Sequence, residues 1–279
     1  MNNAHYWNRK EELSNIARKH TKEMQEQYAD EIENCIQSSV VLGSRYSDDS
    51  YRKVINNDLA PKMMINSKSK EAPVFKVVKN TTVDELFNTL SDKVVVLNFA
   101  SYKNPGGMFM NGSSAQEESL CHSSYLYNIL SSNAKHISEY YEWNRNNLNK
   151  GMYTDRAIYT PNVRFFNKNG ESRLADVITC AAPNKSVALR YNNFTADENS
   201  QALQKRVEFI QWIIENIDRD IDTFITGAWG CGVFKQDPVE TAKYFISTFL
   251  AGTLNEVVFA IPDDKTLNAF NSAFKSDNK

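Results

Sequence analysis

No stretch of this 279-residue sequence approaches the ~20 consecutive apolar residues that span a bilayer. The opening, MNNAHYWNRKEEL, also lacks the apolar centre of a signal peptide. An intracellular protein is therefore expected, cytoplasmic or, in a eukaryote, nuclear, with no membrane partner. Cysteine is scarce, and Cys35, Cys121, Cys180 and Cys231 are far apart with no C-x-x-C pair, which argues against a zinc site and a disulfide framework. Charge of one sign is lacking as well. Its 32 basic and 34 acidic side chains leave a net −2, so no global field draws the chain to DNA, and a polyanionic ligand has to be caught by local geometry. There are no internal repeats or low-complexity tracts, and the N-x-S/T matches at Asn80, Asn111 and Asn193 are chance occurrences in an intracellular chain.

What is present is an ordinary globular composition, 41% apolar and 24% charged, in a chain long enough for one large domain or two small ones. Residues 8–36 carry Leu13, Ile16, Ala17 and Met24 at loose helical spacing, followed by a short strand and turn in SSVVLGSRYSDDS. The pattern is then irregular up to Pro73. This predicts an N-terminal, mainly helical extension over residues 1–72, packed on a main domain over residues 73–279.

From Pro73 onward strands and helices alternate. VFKVVKN, KVVVLNFAS, DVITCAAP, DTFITGAW and NEVVFAI read as strands; TTVDELFNTLSD, QALQKRVEFIQWIIENI and VETAKYFISTFLAG read as helices. Such alternation implies an α/β protein with a mainly parallel sheet covered on both faces, and ligands bind such sheets beyond the carboxyl ends of the strands. Residues 137–173, rich in Tyr, Asn and Arg, break the rhythm and read as a long insertion beside the site. Tyr140, Tyr141 and Trp143 within it read as packing residues.

Two loops carry the chemistry. After KVVVLNFAS, the segment NPGGMFMNGSSAQEESL sets Gly106, Gly107 and Gly112 before a helix start. Ser114 and Glu117 fit a capping box, placing Glu117 and Glu118 in the first helical turn, where acids complement the helix dipole. Adjacent carboxyls repel, so one should hold a proton more readily, and a protonated glutamate is what glycosidic cleavage needs as general acid. Residues one apart on a helix diverge by roughly 100°, so one acid is expected to do chemistry and the other to position the sugar.

The second loop, GAWGCGVFKQDPVE, offers Gly227, Gly230 and Gly232 before a strong helix start with Asp237 as N-cap and Pro238 at the first helical position. Its amides suit a diphosphate, although it is neither a Walker loop nor G-x-G-x-x-G, because Lys235 stands at the third glycine. His122 reads as a packing histidine and Cys231 as a small buried thiol.

Taken together, LNFASYKNPGGMFMNGSSAQEESLCHSSYLY, DVITCAAPN and GAWGCGVFKQDP with VVFAI resemble the microbial-type poly(ADP-ribose) glycohydrolases of the macrodomain superfamily, from about Val74 to Ile261. The resemblance implies a three-layer α/β/α macrodomain-like fold with a mixed, mainly parallel sheet. It implies cleavage of ribose–ribose O-glycosidic bonds in poly(ADP-ribose), with no metal and no cofactor. In that likeness Glu118 is the catalytic acid and base, and Glu117 orients the ribose hydroxyls. Asn98, Ser101, Asn104, Gly106, Gly107, Met108 and Gln116 belong to the ribose end of the ADP-ribose site. Gly230, Cys231, Gly232, Val233 and Phe234 form the diphosphate loop, with Phe234 against a ribose or the base. The implied partners are poly(ADP-ribose), ADP-ribosylated proteins and the product ADP-ribose; direct DNA binding is not expected, and a monomer is.

One position departs from the pattern. The family usually has a third consecutive glycine where this chain has Met108, and a left-handed backbone there would cost ~1 kcal/mol or somewhat more. Two alternatives stay open on that ground: an ADP-ribose-binding reader that does not cut, and a hydrolase of another ADP-ribosyl bond, such as a mono-ADP-ribosylated protein.

Overall fold

The computed structural model describes residues 3–43, 53–54, 71–191 and 193–276. Its strands are β1 Val40–Gly43, β2 Lys53–Val54, β3 Val74–Val78, β4 Val94–Phe99, β5 Arg156–Phe166, β6 Ser172–Cys180, β7 Thr223–Thr226 and β8 Glu256–Ala260. The helices are α1 Asn3–Gln27, α2 Ala29–Ser38, α3 Thr82–Asn88, α4 Gln116–His122, α5 Leu126–Leu130, α6 Lys135–Asn146, α7 Lys185–Tyr191, α8 Ala196–Asn216, α9 Pro238–Phe249 and α10 Asp264–Ser276. One sheet joins all eight strands in the order β2-β1-β5-β6-β4-β7-β8-β3. The run from β6 through β4, β7 and β8 to β3 is parallel, while β2, β1 and β5 are attached antiparallel.

Strand residues alternate between two cores because successive side chains leave a strand on opposite faces. Val95 and Leu97 of β4 pack with Leu203, Val207 and Ile210 of α8, Phe245 and Phe249 of α9 and Phe270 of α10. Val94 and Val96 pack with Ile32 and Cys35 of α2, Leu86 of α3, Leu120 of α4, Ile129 of α5 and Tyr140 of α6. The result is the expected three-layer α/β/α arrangement, with β4 buried on both faces and therefore read correctly from its continuous apolar run.

Helix starts follow local chemistry where the cap is local. Thr81 Oγ1 accepts the Asp84 N–H at 3.1 Å, Thr195 Oγ1 accepts that of Glu198 at 3.1 Å, and Asp237 Oδ1 accepts that of Glu240 at 2.8 Å ahead of Pro238. Two expectations need correction. Residues 137–173 are no insertion: they hold most of α6, all of β5 and the start of β6, and β5 pairs with both β1 and β6. The signal was hidden because an antiparallel strand next to the sheet's parallel half needs no β-α-β rhythm. The N-terminal segment also does more than pack against the core, since β1 supplies a strand of the sheet. The turn expected at residues 44–50, and most of the irregular stretch before Pro73, lie outside the described residues.

Among the described residues, no helix is long and apolar enough to cross a membrane.

Candidate active site

A cleft of 560 Å³ lies over the carboxyl ends of β6, β4, β7 and β8. Its walls come from the loop after β4, the first turn of α4, the loop after β7, and Asp263 and Thr266 beyond β8. This is where ligands sit on parallel sheets, because the strand-to-helix connections converge at that edge.

The loop after β4 is built around buried carboxyls. Glu117 and Glu118 are only 3% and 5% exposed, yet both reach the cleft wall. Glu117 points back to the end of β4. Its Oε2 accepts the Ser101 N–H at 2.7 Å, and its Oε1 accepts Asn98 Nδ2 at 3.2 Å. Glu118 points along the loop, accepting the Met108 N–H on Oε1 at 2.8 Å and the Ala115 N–H on Oε2 at 2.9 Å.

The cap is therefore shifted by one residue from the expected Ser114–Glu117 box. Ala115 is the N-cap, with no side chain able to accept, and Glu118 makes the return bond to its amide. The reason is competition: Glu117 is drawn to the Ser101 amide, which is distant in sequence and near in space. Gln116 ties the same helix start to the strand, since its Oε1 accepts the Phe99 N–H at 2.9 Å and its Nε2 donates to Leu97 O at 2.9 Å.

Gly107 sits between the two acids with φ +63, and a Cβ there would lie 2.5 Å from Glu118 Oε1 and 2.9 Å from Glu117 Oε2. No side chain fits. Met108, by contrast, has φ −111, an ordinary backbone for any residue, and its side chain is 46% exposed on the cleft wall. The strain feared at the missing third glycine is absent, because the left-handed turn is completed by Gly106 and Gly107.

Burial pushes the Glu117 carboxyl up from 4.5 to about 8; the Ser101 N–H and the Asn98 amide pull it down, and the neighbouring Glu118 adds to the rise. Glu117 therefore keeps its proton to a higher pH than a free glutamate does.

Helix α1 braces this loop from outside. Ser14 Oγ donates to Met110 O at 2.7 Å, Ala17 packs with Phe109 and Cys121, and a Cβ at Gly112 would meet Lys10 O at 2.0 Å. The extension therefore helps to hold the segment that carries the acids.

The loop after β7 forms the opposite wall through Gly230, Cys231, Gly232, Val233 and Phe234. Val233 is 78% exposed, and a Cβ at Gly232 would meet nothing within 4 Å. Burial of the sulfur raises the Cys231 thiol to about 12, which disfavours a thiolate at neutral pH, although the residue is half-buried on the cleft wall rather than the buried thiol expected. His122 packs edge-on to Phe109 at 4.6 Å, and burial lowers its pKa.

Of the residues that the family resemblance assigns to the site, the cleft gathers Ser101, Gly107, Met108, Gln116, Glu117, Glu118 and the whole run from Gly230 to Phe234. It does not gather three. Asn98 is fully buried behind Glu117, Gly106 packs against Tyr127 and Cys121, and Asn104 is exposed on the outer turn. Sequence reasoning missed Tyr153, Asn184, Asp263 and Thr266 on the wall. Tyr153 stacks on Tyr102 at 4.1 Å and meets Phe234 edge-on at 5.9 Å. It was hidden in the stretch read as an insertion, whereas Asn184 and Asp263 follow strands β6 and β8 and were foreshadowed by the rule for carboxyl ends.

A family model of the microbial-type PARG catalytic domain matches residues 3–168, the part that carries both glutamates. The chain belongs to this family. Solved structures extend the likeness over the remaining residues. The poly(ADP-ribose) glycohydrolase of Thermomonospora curvata is 25% identical with a TM-score of 0.74, covering 95% of this chain and 100% of its own. That of Deinococcus radiodurans in complex with ADP-ribose is 26% identical with a TM-score of 0.72, covering 88% of this chain and 97% of its own. The Thermomonospora enzyme bound to the inhibitor ADP-HPD is 25% identical with a TM-score of 0.73, covering 94% and 99%. No curated protein matches the chain.

Proposed function

We propose that this PARG-family chain hydrolyses the ribose–ribose O-glycosidic bond of poly(ADP-ribose) and releases ADP-ribose, without a metal, with Glu118 as general acid and base. The observation that carries this reading is the convergence of two buried carboxyls on Gly107 at the floor of one cleft, in a fold shared with glycohydrolases that bind ADP-ribose. Cleavage needs a proton on the leaving ribose oxygen while positive charge develops on the sugar carbon. Glu118 supplies that proton, then takes one from the water that attacks the sugar, which restores it for the next cycle. Glu117 orients the ribose hydroxyls. Its raised pKa suits that task, because a neutral carboxyl both donates to and accepts from a hydroxyl.

The reading of a non-cutting ADP-ribose binder rested on Met108; the ordinary backbone of that residue removes the strain, while its exposed side chain still stands on the cleft wall.

The test is release of ADP-ribose from purified polymer with chelator present, for the parent and for Glu118→Gln. The variant is expected to lose at least ~100-fold in rate while ADP-ribose affinity stays within about tenfold. Cleavage by Glu118→Gln at the parental rate overturns the assignment of the acid. Absence of release by the parent, with calorimetric binding of ADP-ribose intact, overturns the glycohydrolase in favour of a binder or of a different ADP-ribosyl bond.

A further inference from the structure

A second cavity, 500 Å³ in volume, opens on the far side of Tyr153, between the segment leading into β5 and the first half of α8. Tyr153 lines both this cavity and the cleft, so its ring is the partition between them. The partition is held under strain. Asn149, Lys150 and Tyr153 all have left-handed backbones, at φ 41, 50 and 58, which is unusual for bulky residues and persists where surrounding structure imposes it. The imposition is visible: Asn149 Nδ2 donates to Tyr153 O at 3.0 Å, and the Tyr153 ring lies parallel on Tyr102.

We propose that this cavity takes the adenine nucleoside of the ADP-ribosyl unit adjoining the one in the cleft, an inference that rests on the proposed action on a polymer. A repeating substrate has to leave the cleft toward its next unit, and the cavity continues the cleft along the sheet edge past β6 to the start of β5. Its walls have the chemistry of a purine site. Trp143 and Phe194 provide aromatic surface, and Arg156 lies over the Trp143 ring at 4.1 Å, keeping that ring in place. The exposed Gln201 amide offers a donor and an acceptor to a base edge.

The charges distinguish the two halves of a nucleotide. Arg206 is held by Asp155 and by Ala181 O at 2.6 Å, and Glu198 is engaged with the Thr195 N–H at 2.7 Å. Arg206 and Asp155 cancel inside the cavity while Glu198 is exposed at its edge, so the interior suits an uncharged nucleoside. Lys205, exposed on α8, stands at the mouth for the adjoining phosphates.

The experiment uses Glu118→Gln as a background that binds without turnover, and compares affinity for ADP-ribose with affinity for size-selected poly(ADP-ribose). Two further substitutions on α8 are added singly: Ala202→Trp, which fills the cavity, and Lys205→Glu, which reverses the charge at its mouth. Each is expected to weaken polymer binding about tenfold while ADP-ribose affinity stays within about twofold, the second value also reporting that the cleft is intact. Unchanged polymer affinity in Ala202→Trp, with ADP-ribose binding intact, overturns this inference alone. If the Glu118→Gln protein binds neither ligand and the parent releases no ADP-ribose, the proposed function falls and this inference falls with it.

Discussion

The loops after β4 and β7 face each other across one cleft, both rich in glycine, and the tip of the second, at Gly232, uses it differently from the first. In the first, glycine is demanded from within: Gly107 is closed in by the two carboxyls it separates, and Gly112 by the backbone of α1. In the second, Gly227 and Gly230 are likewise closed in, by Ala260 O and by Ala182 and Gln236, but Gly232 faces open space beside an exposed Val233, so nothing inside the protein forbids a side chain there. The contrast teaches that the acids are placed by the protein's own packing, whereas the tip of the opposite wall at Gly232 and Val233 is left open. Reaction geometry tolerates little displacement, and a ligand-facing loop has to present backbone without bulk.

The comparison can be broken first at Gly107. Gly107→Ala adds a methyl within 3 Å of both carboxyls at a left-handed position, so turnover should fall at least ~100-fold and stability by at least ~2 kcal/mol. Steady-state rates and thermal unfolding read both, and a variant with parental rate and melting temperature would refute the idea that packing places the acids.

A smaller effect is expected from Glu117→Gln, read as stability against pH. A carboxyl whose native pKa is raised binds its proton more tightly when folded. Its contribution is fully present below 4.5 and is lost as pH rises to about 8, because over that window the unfolded chain has already released the proton. Glutamine stays neutral throughout. The variant should therefore gain on the parent between these pH values by an amount on the order of a few kcal/mol, seen as a gap in melting temperature that widens toward pH 8. A pH-independent gap would show that Glu117 is ionised in the native protein.

The smallest effect belongs to Gly232→Ala. With no neighbour within 4 Å of the new Cβ, stability should change by no more than about 0.5 kcal/mol, while ADP-ribose affinity falls about tenfold if the loop embraces the ligand as proposed. Denaturant titration and calorimetry separate the two quantities; loss of stability without loss of affinity would reverse the roles assigned to the two loops.

Much of the fold was legible because its signals are local. The apolar run of β4 marks a strand buried on both faces, the Asp237-Pro238 pair marks the start of α9, and the adjacent Glu117 and Glu118 after a glycine turn mark the candidate site. What escaped was non-local. Strand β5 holds polar and aromatic residues with no β-α-β rhythm around it, and Tyr153 reaches the cleft only because β5 runs antiparallel beside β6. The cap of α4 moved by one residue because Ser101 competes for Glu117, a contact no spacing rule anticipates.

The sequence by itself determined the layer order, the placement of two acids at a helix start and the family resemblance, since periodicity, capping and motif are properties of neighbouring residues. Only the tertiary structure decided that burial raises the Glu117 carboxyl, that Met108 sits without strain and that α1 braces the glycine turn ahead of α4. Desolvation, backbone conformation and close packing depend on segments brought together from distant parts of the chain, Lys10 against Gly112 and Asn98 against Glu117 among them.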